Sequence, residues 1–329
     1  RRFVVFPDDE APHDNLTEWW YYTGHLFTAD GTRYGFEYVI FQAQRGPFPA
    51  VFAAHLALTD SANQRFVYDQ RIGQNTAAPA ESGFALSLDG WEMAGALGSD
   101  TLSATMTDGS VGIDLTLEGE KDAVLHNGIG YVDFGPAGGS YYYSRTRMSV
   151  EGTLLLDGSE QEVTGEAWFD HQWGDFISVG AGGWDWFSVQ LADGDDLTIS
   201  LVRDEQAAIT IAYGTYVAAD GTVTHLETDD IDVRATETWT SPHTGAVYPS
   251  RWTVNVPSQD LTLDVVPTMN DQELDTSAST FVIYWEGEVT AVGTRNGESV
   301  EGLGYVELTG YDGGLNPMPD ADGEGTPVP

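Results

Sequence analysis

Three short runs of this chain each place an ionisable side chain between large aromatic ones. They are Glu-Trp-Trp-Tyr-Tyr at residues 18–22, Trp-Phe-Asp-His-Gln-Trp-Gly at residues 168–174 and Trp-Asp-Trp-Phe at residues 184–187. A carboxyl group surrounded by indole rings loses hydration and holds its proton more tightly, which suits a general acid in an apolar pocket. Each run alone is also typical of core aromatics beside a hydrogen-bonded acid, because structural networks perturb pKa values as well. Three runs in one chain favour a site.

The central run divides its side chains between two faces if it forms a β-strand. Successive side chains of a strand point to opposite faces. The two sets are Trp168, Asp170 and Gln172, and Phe169, His171 and Trp173. Both sets carry chemistry, which indicates a strand shared between a core and a cavity. Two structural alternatives stay open: a core His171 bonded to a backbone carbonyl, and an ion pair between Asp170 and Arg145 or Arg147.

The charge balance is strongly acidic. The 329 residues contain 52 Asp and Glu against 13 Lys and Arg, and the formal net charge is -39. Such a surface repels nucleic acid and anionic lipid. It also repels itself, and salt relieves this because the Debye length falls from about 10 Å at 0.1 M to about 3 Å at 1 M. The composition, with Lys121 as the only lysine, predicts a protein from a high-salt environment; an aromatic content of 12% argues against an acidic disordered chain.

Several kinds of site are absent from the sequence. Without cysteine, the chain has no disulfide, thiolate metal site or cysteine nucleophile. It has no Gly-x-Ser-x-Gly elbow and no phosphate-binding Gly-x-x-x-x-Gly-Lys loop. None of its seven histidines pairs with another at the spacing of a zinc site, so we expect no metal ion. Acidic loops such as residues 229–232 could hold calcium, but a solvated surface is the favoured interpretation in so acidic a chain.

The sequence leaves the cellular location open. No apolar run approaches the roughly 18 residues that cross a bilayer, so we expect at most peripheral membrane contact during uptake of an apolar substrate. Residues 1–6 are too short for the apolar core of a signal peptide and soon meet Pro7. Because the chain starts without Met, an export signal removed before this numbering is one expectation, with a periplasmic or extracellular protein as the result.

Turn residues and alternating apolar residues predict an almost entirely β protein. Asp-Gly or Asn-Gly pairs, which accept the positive φ angles of tight hairpins, begin at residues 30, 89, 108, 127, 157, 193, 220 and 296. Between them apolar and polar residues alternate, as at Val111, Ile113, Leu115 and Leu117, and again within residues 197–201, 252–256 and 261–265. A period of two is typical of half-buried antiparallel strands. The fold class is therefore predicted as all-β, in barrels or sandwiches.

A Gly-rich stretch follows the central aromatic run and suggests a domain boundary. We predict an N-terminal β domain at residues 1–175 and a C-terminal β domain at residues 176–311, on either side of the stretch at residues 174–183. Residues 312–329 are rich in Gly, Pro and Asp and have almost nothing to bury, which predicts a disordered tail.

The aromatic runs and other short motifs resemble the carotenoid 1,2-hydratase (hydroxyneurosporene synthase) family, which belongs with the AttH-type lipocalin-like proteins. The additional motifs are Gln190-Leu191, Trp239-x-Ser241-Pro242, Tyr248-Pro249, Tyr284-Trp285-Glu286-Gly287 and Gly304-Tyr305-Val306-Glu307-Leu308-x-Gly310. They occur in the family's order and cover nearly the whole chain except the tail. Together they are specific for the superfamily, and much less so for one activity within it.

The resemblance implies a fold and a class of ligand. The fold is two tandem lipocalin-like antiparallel β-barrels with a ligand cavity at or near their interface. Relatives include carotenoid hydratases, an isoflavonoid hydratase and fungal decalin-forming Diels–Alderases, and many bacterial and archaeal members are loosely named secreted hydrolases. They share a hydrophobic polyene or prenyl substrate and no cofactor. We therefore expect an isoprenoid or polyene substrate, no cofactor and no nucleic acid.

The resemblance also assigns roles to residues. In the hydratases an acid near a His-x-Trp element is thought to protonate an alkene; the element matches His171-Gln172-Trp173, with Asp170 before it, and Asp185 is the next acid that fits. Desolvation keeps such an acid protonated, and aromatic faces stabilise the resulting tertiary cation by roughly 0.5 to 2 kcal/mol each. We predict Asp170 or Asp185 as the acid, with Glu18 a weaker candidate, and His171 as the group that orients the acid or positions water. The predicted substrate-binding residues are Glu18, Trp19, Trp20, Trp173, Trp184, Trp186, Tyr284, Trp285 and Glu286, among which Trp173, Trp184 and Trp186 form cation-stabilising walls.

Four hypotheses follow from the sequence. The first is a cofactor-free hydratase of a carotenoid or other isoprenoid alkene. The second is a cyclase or pericyclase that folds a polyene in a dry cavity whose acids are dispensable. The third is a non-catalytic carrier of an apolar ligand, with structural acids. The fourth is carbohydrate binding, since aromatics beside acids also suit sugars; a glycosidase would need two carboxylates about 5 to 9.5 Å apart, and nothing in the sequence fixes such a pair.

Overall fold

Nearly all regular structure of the protein is antiparallel β-strand. The computed structural model describes residues 3–135, 138–176 and 182–313. The strands of the first sheet are β1 (Thr17–Thr28), β2 (Arg33–Ala43), β3 (Val51–Asp60), β4 (Arg65–Gly73), β5 (Phe84–Leu88), β6 (Trp91–Ala96), β7 (Ser99–Thr105), β8 (Val111–Gly119), β9 (Val124–Leu125), β10 (Tyr131–Asp133), β11 (Gly139–Leu156) and β12 (Ser159–Gly174). Those of the second sheet are β13 (Trp184–Leu191), β14 (Asp196–Arg203), β15 (Ile209–Val217), β16 (Val223–Leu226), β17 (Asp232–Thr240), β18 (Val247–Val256), β19 (Leu261–Pro267), β20 (Glu273–Asp275), β21 (Ile283–Arg295) and β22 (Glu298–Thr309). The short 3-10 helices of the described residues are Asp8–Glu10, Ser61–Asn63, His126–Gly128, Thr228–Asp230 and Pro257–Gln259.

The two sheets curl to different degrees. The first has the order β4-β3-β2-β1-β12-β11-β8-β7-β6-β5, and β9 and β10 pair with β11. Its end strands β4 and β5 lie side by side, so the sheet closes almost into a barrel. The second has the order β16-β15-β14-β13-β22-β21-β19-β18-β17, with β20 beside β21, and remains a half-barrel. The all-β, lipocalin-like fold expected from the sequence is confirmed.

The alternating apolar residues and the Asp-Gly and Asn-Gly pairs take the positions expected of strands and turns. Val111, Ile113, Leu115 and Leu117 of β8 are all buried, while the polar residues between them are exposed at Asp114 and Thr116. Of the eight Asp-Gly and Asn-Gly pairs named above, seven connect two consecutive strands that pair with each other. The pair at residues 127–128 instead lies in a 3-10 helix, because β9 and β10 both pair with β11 and form no hairpin.

The division between the sheets falls between Gly174 and Trp184. The predicted domain boundary at residue 175 lies in this interval and stays a prediction. Residues 177–181, which belong to the predicted Gly-rich connection, lie outside the described residues. So does the predicted tail from residue 314 onward.

Strand pairing brings two of the three aromatic runs side by side. β1 pairs with β12 in an antiparallel register that sets Tyr21 opposite Asp170 and Trp20 opposite His171. The third run begins β13, which pairs with β22. The runs at residues 18–22 and 168–174, far apart in the sequence, therefore lie on neighbouring strands.

The apolar core has separate parts. One part lies inside the barrel formed by the first sheet. A second part packs on the second sheet, and smaller clusters pack between the two sheets. Close approach of the sheets depends on Gly35 of β2, since a Cβ atom at this position would lie 2.3 Å from the Tyr305 hydroxyl of β22. In the described residues, no helix has the length and apolar character to span a membrane.

Candidate active site between the two sheets

Strand β12 divides the central aromatic run between two environments. Phe169 and Trp173 belong to the core inside the first sheet, whereas Trp168 lies in an aromatic cluster between the two sheets. Asp170 follows Trp168 and accepts a hydrogen bond from its indole, while His171 faces the barrel interior. The alternation expected for an extended strand is confirmed.

The Asp170 carboxylate is buried among hydroxyl and indole donors. Tyr142 Oη donates to it over 2.5 Å, Trp168 Nε1 donates over 2.7 Å, and Ser144 Oγ donates as well. Burial raises the pKa of Asp170 to about 6, although the three hydrogen bonds oppose this. The group can therefore hold or release a proton near neutral pH.

Arg145 and Arg147, the expected alternative partners of Asp170, bind other carboxylates. Arg145 Nη2 lies 2.8 Å from Glu10, and Arg147 Nη2 lies 2.8 Å from Asp196. The alternative of an arginine ion pair with Asp170 is therefore wrong.

A second layer of hydrogen bonds holds the donors of this carboxylate. His126 Nε2 lies 2.7 Å from Ser144 Oγ, and its Nδ1 lies 2.9 Å from Thr215 Oγ1. Burial lowers the pKa of His126 to about 3, so the ring is neutral. On the other side, Trp186 Nε1 donates to Tyr142 Oη over 3.3 Å. Sequence analysis missed His126, Ser144 and Tyr142, because none of them belongs to a run of acids and aromatics.

Asp185, the other predicted acid, has an arginine partner. Arg203 Nη2 lies 3.1 Å from its carboxylate, and Tyr311 Oη donates to it over 2.9 Å. Burial raises the pKa of Asp185 to about 6, and the charge of Arg203 opposes the rise. Since Tyr311 packs against the core of the second sheet, Asp185 faces away from the space that Asp170 faces. The structure does not bring the two predicted acids together.

His171 lies inside the barrel with Glu18 and His13. His171 Nε2 and His13 Nδ1 each lie 2.8 Å from Glu18 Oε1, and His171 Nδ1 lies 3.2 Å from Tyr143 Oη. The alternative of a bond from His171 to a backbone carbonyl is therefore wrong. Burial lowers the pKa of His171, and the Glu18 carboxylate opposes this. Donor atoms of His13, Glu18 and His171 lie within 4.8 Å of one another, a grouping that could hold a metal ion and that histidine spacing along the chain did not reveal.

Trp20 and Trp173 pack on these histidines. The ring centroids of His171 and Trp20 are 4.7 Å apart, and those of His13 and Trp173 are 4.1 Å apart with nearly parallel planes. Both indoles are fully buried in the barrel core. The geometry therefore groups Glu18, Trp20 and Trp173 with His171 and not with Asp170.

The other predicted tryptophans lie between the sheets. Trp186 meets Tyr21 edge to face with centroids 5.3 Å apart, and Trp19 meets Phe176 in the same way at 5.7 Å. Trp19 and Trp184 remain half-buried, while Trp186 is buried. All three rings lie in or pack against the aromatic cluster that contains Trp168, a hydrogen-bond donor to Asp170, and their contact with a substrate stays a prediction.

The motif at residues 284–287 is divided by the same alternation. Trp285 packs in the core of the second sheet. Its neighbours reach the space between the sheets, where Tyr284 Oη donates to Glu37 over 2.9 Å and Tyr21 Oη donates to Glu286 over 2.6 Å. Of the three predicted residues, Tyr284 and Glu286 therefore share a region with Asp170, and Trp285 does not.

Buried carboxyl groups near the interface fall into two groups. The paired group has basic partners and consists of Asp185, Asp196 and Glu288. The cation-free group forms no ion pair within the described residues and consists of Glu37, Asp170, Glu286 and Glu307. Burial raises the pKa of every member of the cation-free group, to about 7 for Glu307 and well above the ordinary value for Glu37 and Glu286. Sequence analysis missed Glu37 and did not select Glu307, although Glu307 stands in one of the matched motifs.

An open cleft of about 510 Å³ lies where the edges of the two sheets meet. Its walls are of mixed polarity and include Arg33, Ser61, Ala62 and Thr290. This cleft differs from the predicted cavity, because no aromatic residue lines it and none of the predicted site residues does. The apolar cavity beside the acids stays a prediction.

Known proteins resemble this chain over most of its length. Residues 1–311 match the family model described as AttH-like. The crystal structure of an AttH-type protein from Nitrosomonas europaea is similar with a TM-score of 0.84 and 32% identity, covering 94% of this chain and 98% of that one. Kievitone hydratase of Fusarium solani subsp. phaseoli is 23% identical over 252 residues, which are 72% of this chain and 68% of that protein. Dehydratase asqC of Emericella nidulans is 25% identical over 269 residues, 78% of this chain and 76% of that protein.

Proposed function

The chain belongs to the AttH-like family, and from this premise we propose that it adds water to a carbon–carbon double bond of a hydrophobic molecule, or removes water from an alcohol to form such a bond. The similarity to a hydratase and to a dehydratase supports a carbon–oxygen lyase activity. Our finer proposal is acid–base catalysis without a cofactor on an isoprenoid or carotenoid-like substrate.

The observation that carries this proposal is the environment of Asp170. Its carboxylate is buried between the two sheets, has no cationic partner among the described residues, and is held only by Tyr142, Ser144 and Trp168. A carboxyl group with a pKa of about 6 exchanges its proton near neutral pH. Fixed hydroxyl and indole donors keep it in one orientation for that exchange.

The surrounding aromatic rings supply the second requirement. Protonation of an alkene creates a carbocation, which the faces of Trp184 and Trp186 would stabilise by cation–π attraction. In this proposal the same rings would limit the approach of water to one face of the cation. An apolar chain such as an isoprenoid suits these surroundings better than a sugar does, because a sugar would leave hydroxyl groups without partners.

The barrel interior has a supporting role in this proposal. His171 and Glu18 lie on the opposite face of β12 and β1 from Asp170, so we assign them to holding the two strands in register. They would not touch the substrate. The notion that His171 orients the acid directly is replaced by orientation through Tyr142 and Ser144.

A hydration assay on lycopene in ¹⁸O-labelled water tests the proposal. We expect the parent protein, assayed at high salt, to yield an ¹⁸O-labelled alcohol that mass spectrometry detects. Asp170→Asn should lose about 10²- to 10⁴-fold in rate, the usual contribution of a general acid or base. His171→Asn, if folded, should retain far more activity than Asp170→Asn.

Three outcomes would contradict the proposal. A folded Asp170→Asn variant that hydrates lycopene at the parental rate would remove Asp170 from the chemistry. A parent protein that retains lycopene tightly without turnover would favour a carrier. A cyclised product without ¹⁸O would favour a pericyclase.

A further inference from the structure

Two glutamates of the second sheet face each other in the space between the sheets. Glu286 of β21 and Glu307 of β22 are directly paired positions of the antiparallel ladder. Glu37 of β2 approaches from the first sheet, since its carboxylate and that of Glu286 accept hydrogen bonds from the neighbouring hydroxyls of Tyr284 and Tyr21. Three carboxyl groups therefore meet where the two sheets pack.

The hydrogen bonding of these groups is incomplete unless a carboxyl carries a proton. Glu286 Oε2 and Glu37 Oε2 are buried and receive no hydrogen bond from any described donor. The Glu286 and Glu307 side chains lie next to each other on one face of the paired strands β21 and β22, and interaction with Glu307 raises the pKa of Glu286 further. A proton on one of the two carboxyl groups would remove their mutual repulsion and supply a hydrogen bond to the other.

Among the residues that the structure describes, none places a positive charge beside these glutamates that could replace this proton. The described titratable groups that face the glutamates are Tyr21 of β1, Glu37 of β2, Asp170 of β12, Tyr284 of β21 and Tyr305 of β22, and all are neutral or acidic. His55, which contacts Tyr284, is neutral because burial lowers its pKa to about 3.

We propose that Glu286 and Glu307 share one proton, that Glu307 delivers it to the substrate alkene, and that the Asp170 carboxylate removes the proton from the attacking water. This rests on the proposed hydratase function. In this proposal the acid, Glu307, and the base, Asp170, lie on opposite walls of one site. Two titratable groups whose surroundings give them different pKa values can act as acid and base in one reaction.

Glu307 is the member of the pair that can touch a ligand. It remains half-buried, whereas Glu37 and Glu286 are closed to solvent. Trp184, which is also half-buried, donates its indole N–H to Glu307. The charge of Asp170 acts on Glu307, which places the two acids in one electrostatic environment. Glu286 acts through Glu307 and is a positioning residue.

The reaction balances over one turnover. The Glu307 carboxyl gives its proton to one alkene carbon, where a C–H bond forms and leaves a carbocation on the other carbon. The oxygen of a water molecule forms a C–O bond to that carbon, and Asp170 takes the water's proton. Asp170 then releases a proton to solvent and the glutamate pair takes one up, so that alkene plus water gives alcohol. Dehydration is the same sequence in reverse.

Infrared spectroscopy of the protein alone tests the shared proton. We expect the parent at pH 7 to show the carbonyl band of a buried protonated carboxyl, shifted in D₂O. Glu286→Gln and Glu307→Gln should each remove or displace this band, while Glu301→Gln, an exposed position on β22, should leave it unchanged. A parent without the band, or variants that all retain it, would overturn the proposal.

The pH profile of lycopene hydration tests the assignment of roles. Glu307→Gln should lose about 10²- to 10⁴-fold in kcat. Glu286→Gln should retain activity but move the alkaline limb to lower pH by about one unit, because an amide N–H stabilises the ionised Glu307. A purely structural Glu286 would lower kcat and leave the limb in place.

The outcomes separate this inference from the proposed function. If Asp170→Asn abolishes hydration and Glu307→Gln retains the parental rate and profile, the glutamate pair is not the acid and the hydratase assignment stands. If the parent hydrates nothing, the hydratase assignment fails, and the infrared result alone decides whether the proton is shared.

Discussion

The paired group and the cation-free group of carboxyls are buried near the same interface and differ in what neutralises them. In the paired group, Arg33 Nε lies 2.9 Å from Glu288, and Lys121 Nζ lies 2.7 Å from Asp196. In the cation-free group, the described donors are tyrosine and serine hydroxyls and tryptophan indoles. An arginine fixes a carboxyl in its ionised form, whereas a hydroxyl leaves both forms accessible.

This difference separates structural acids from acids that can transfer protons. Asp170 and Asp185 show it best, since burial raises the pKa of each to about 6. Asp185 forms an ion pair with Arg203, whereas Asp170 forms no ion pair with any residue that the structure describes. The neighbouring residues, more than the degree of burial, therefore decide which acid is available for chemistry.

The largest expected effect on stability comes from Asp185→Asn. Removing one partner of a buried ion pair leaves Arg203 uncompensated and should cost about 3 to 5 kcal/mol in the free energy of unfolding at pH 7.5. Asp170→Asn leaves no cation unpaired and should cost much less. Urea denaturation followed by tryptophan fluorescence measures both.

Asp264→Asn is the matched control for this pair of variants. Asp264 is half-buried, with 48% of its side chain exposed, and lies 3.7 Å from Arg251, a contact that should contribute about 0 to 1 kcal/mol. Equal losses in Asp170→Asn and Asp185→Asn would break the distinction between the two groups.

The pH dependence of stability should show the raised pKa of Asp170. In the unfolded chain this carboxyl ionises near its ordinary value of 3.8, and in the folded protein near 6. Between these values the unfolded state binds fewer protons, so the stability of the parent relative to Asp170→Asn falls as pH rises. The fall should total about 3 kcal/mol between about pH 4 and 6 and then level off. Urea titrations at several pH values measure it, and a flat difference would contradict the raised pKa.

Removal of a single tyrosine hydroxyl should lower the free energy of unfolding by different amounts in the paired and the cation-free groups. Tyr311→Phe deletes a hydrogen bond to the ionised Asp185 and should cost about 2 kcal/mol, as is usual for bonds to charged groups. Tyr21→Phe deletes a bond to Glu286, which we propose to share a proton with Glu307, and should cost about 1 kcal/mol. The reverse order of the two losses would indicate an ionised Glu286.

Salt should act on the surface charges and leave the buried groups unaffected. With a net charge of -39, the parent should have a higher melting temperature in molar NaCl than in low salt. The stability difference between the parent and Asp170→Asn should not change with salt, because buried charges are screened little. A melting temperature independent of salt would contradict the predicted adaptation to high salt.

The fold was predictable because its determinants are local. Period-two alternation and Asp-Gly turns specify strands and hairpins within a few residues, as β8 and the turn at residues 157–158 illustrate. The burial of Asp170 among aromatic rings was predictable as well, because aromatic residues flank it in the sequence.

The rest of the candidate site depends on strand register and on contact between the sheets. Glu37 stands in β2, where buried residues face both sides and no alternation marks a polar position. The proximity of Glu18 and His171 follows from pairing across 153 residues of separation. The proximity of Tyr21 and Glu286 spans 265 residues and crosses from one sheet to the other. No pattern within a short window contains such information.

The two-sided use of β12 limits how this protein can evolve. Insertion or deletion of one residue within the strand would exchange its faces, sending Asp170 into the barrel interior and His171 toward the second sheet. Both environments would then lose their polar partners at once. We therefore expect length variation among relatives in the connecting loops, and an unchanged number of residues between Trp168 and Trp173.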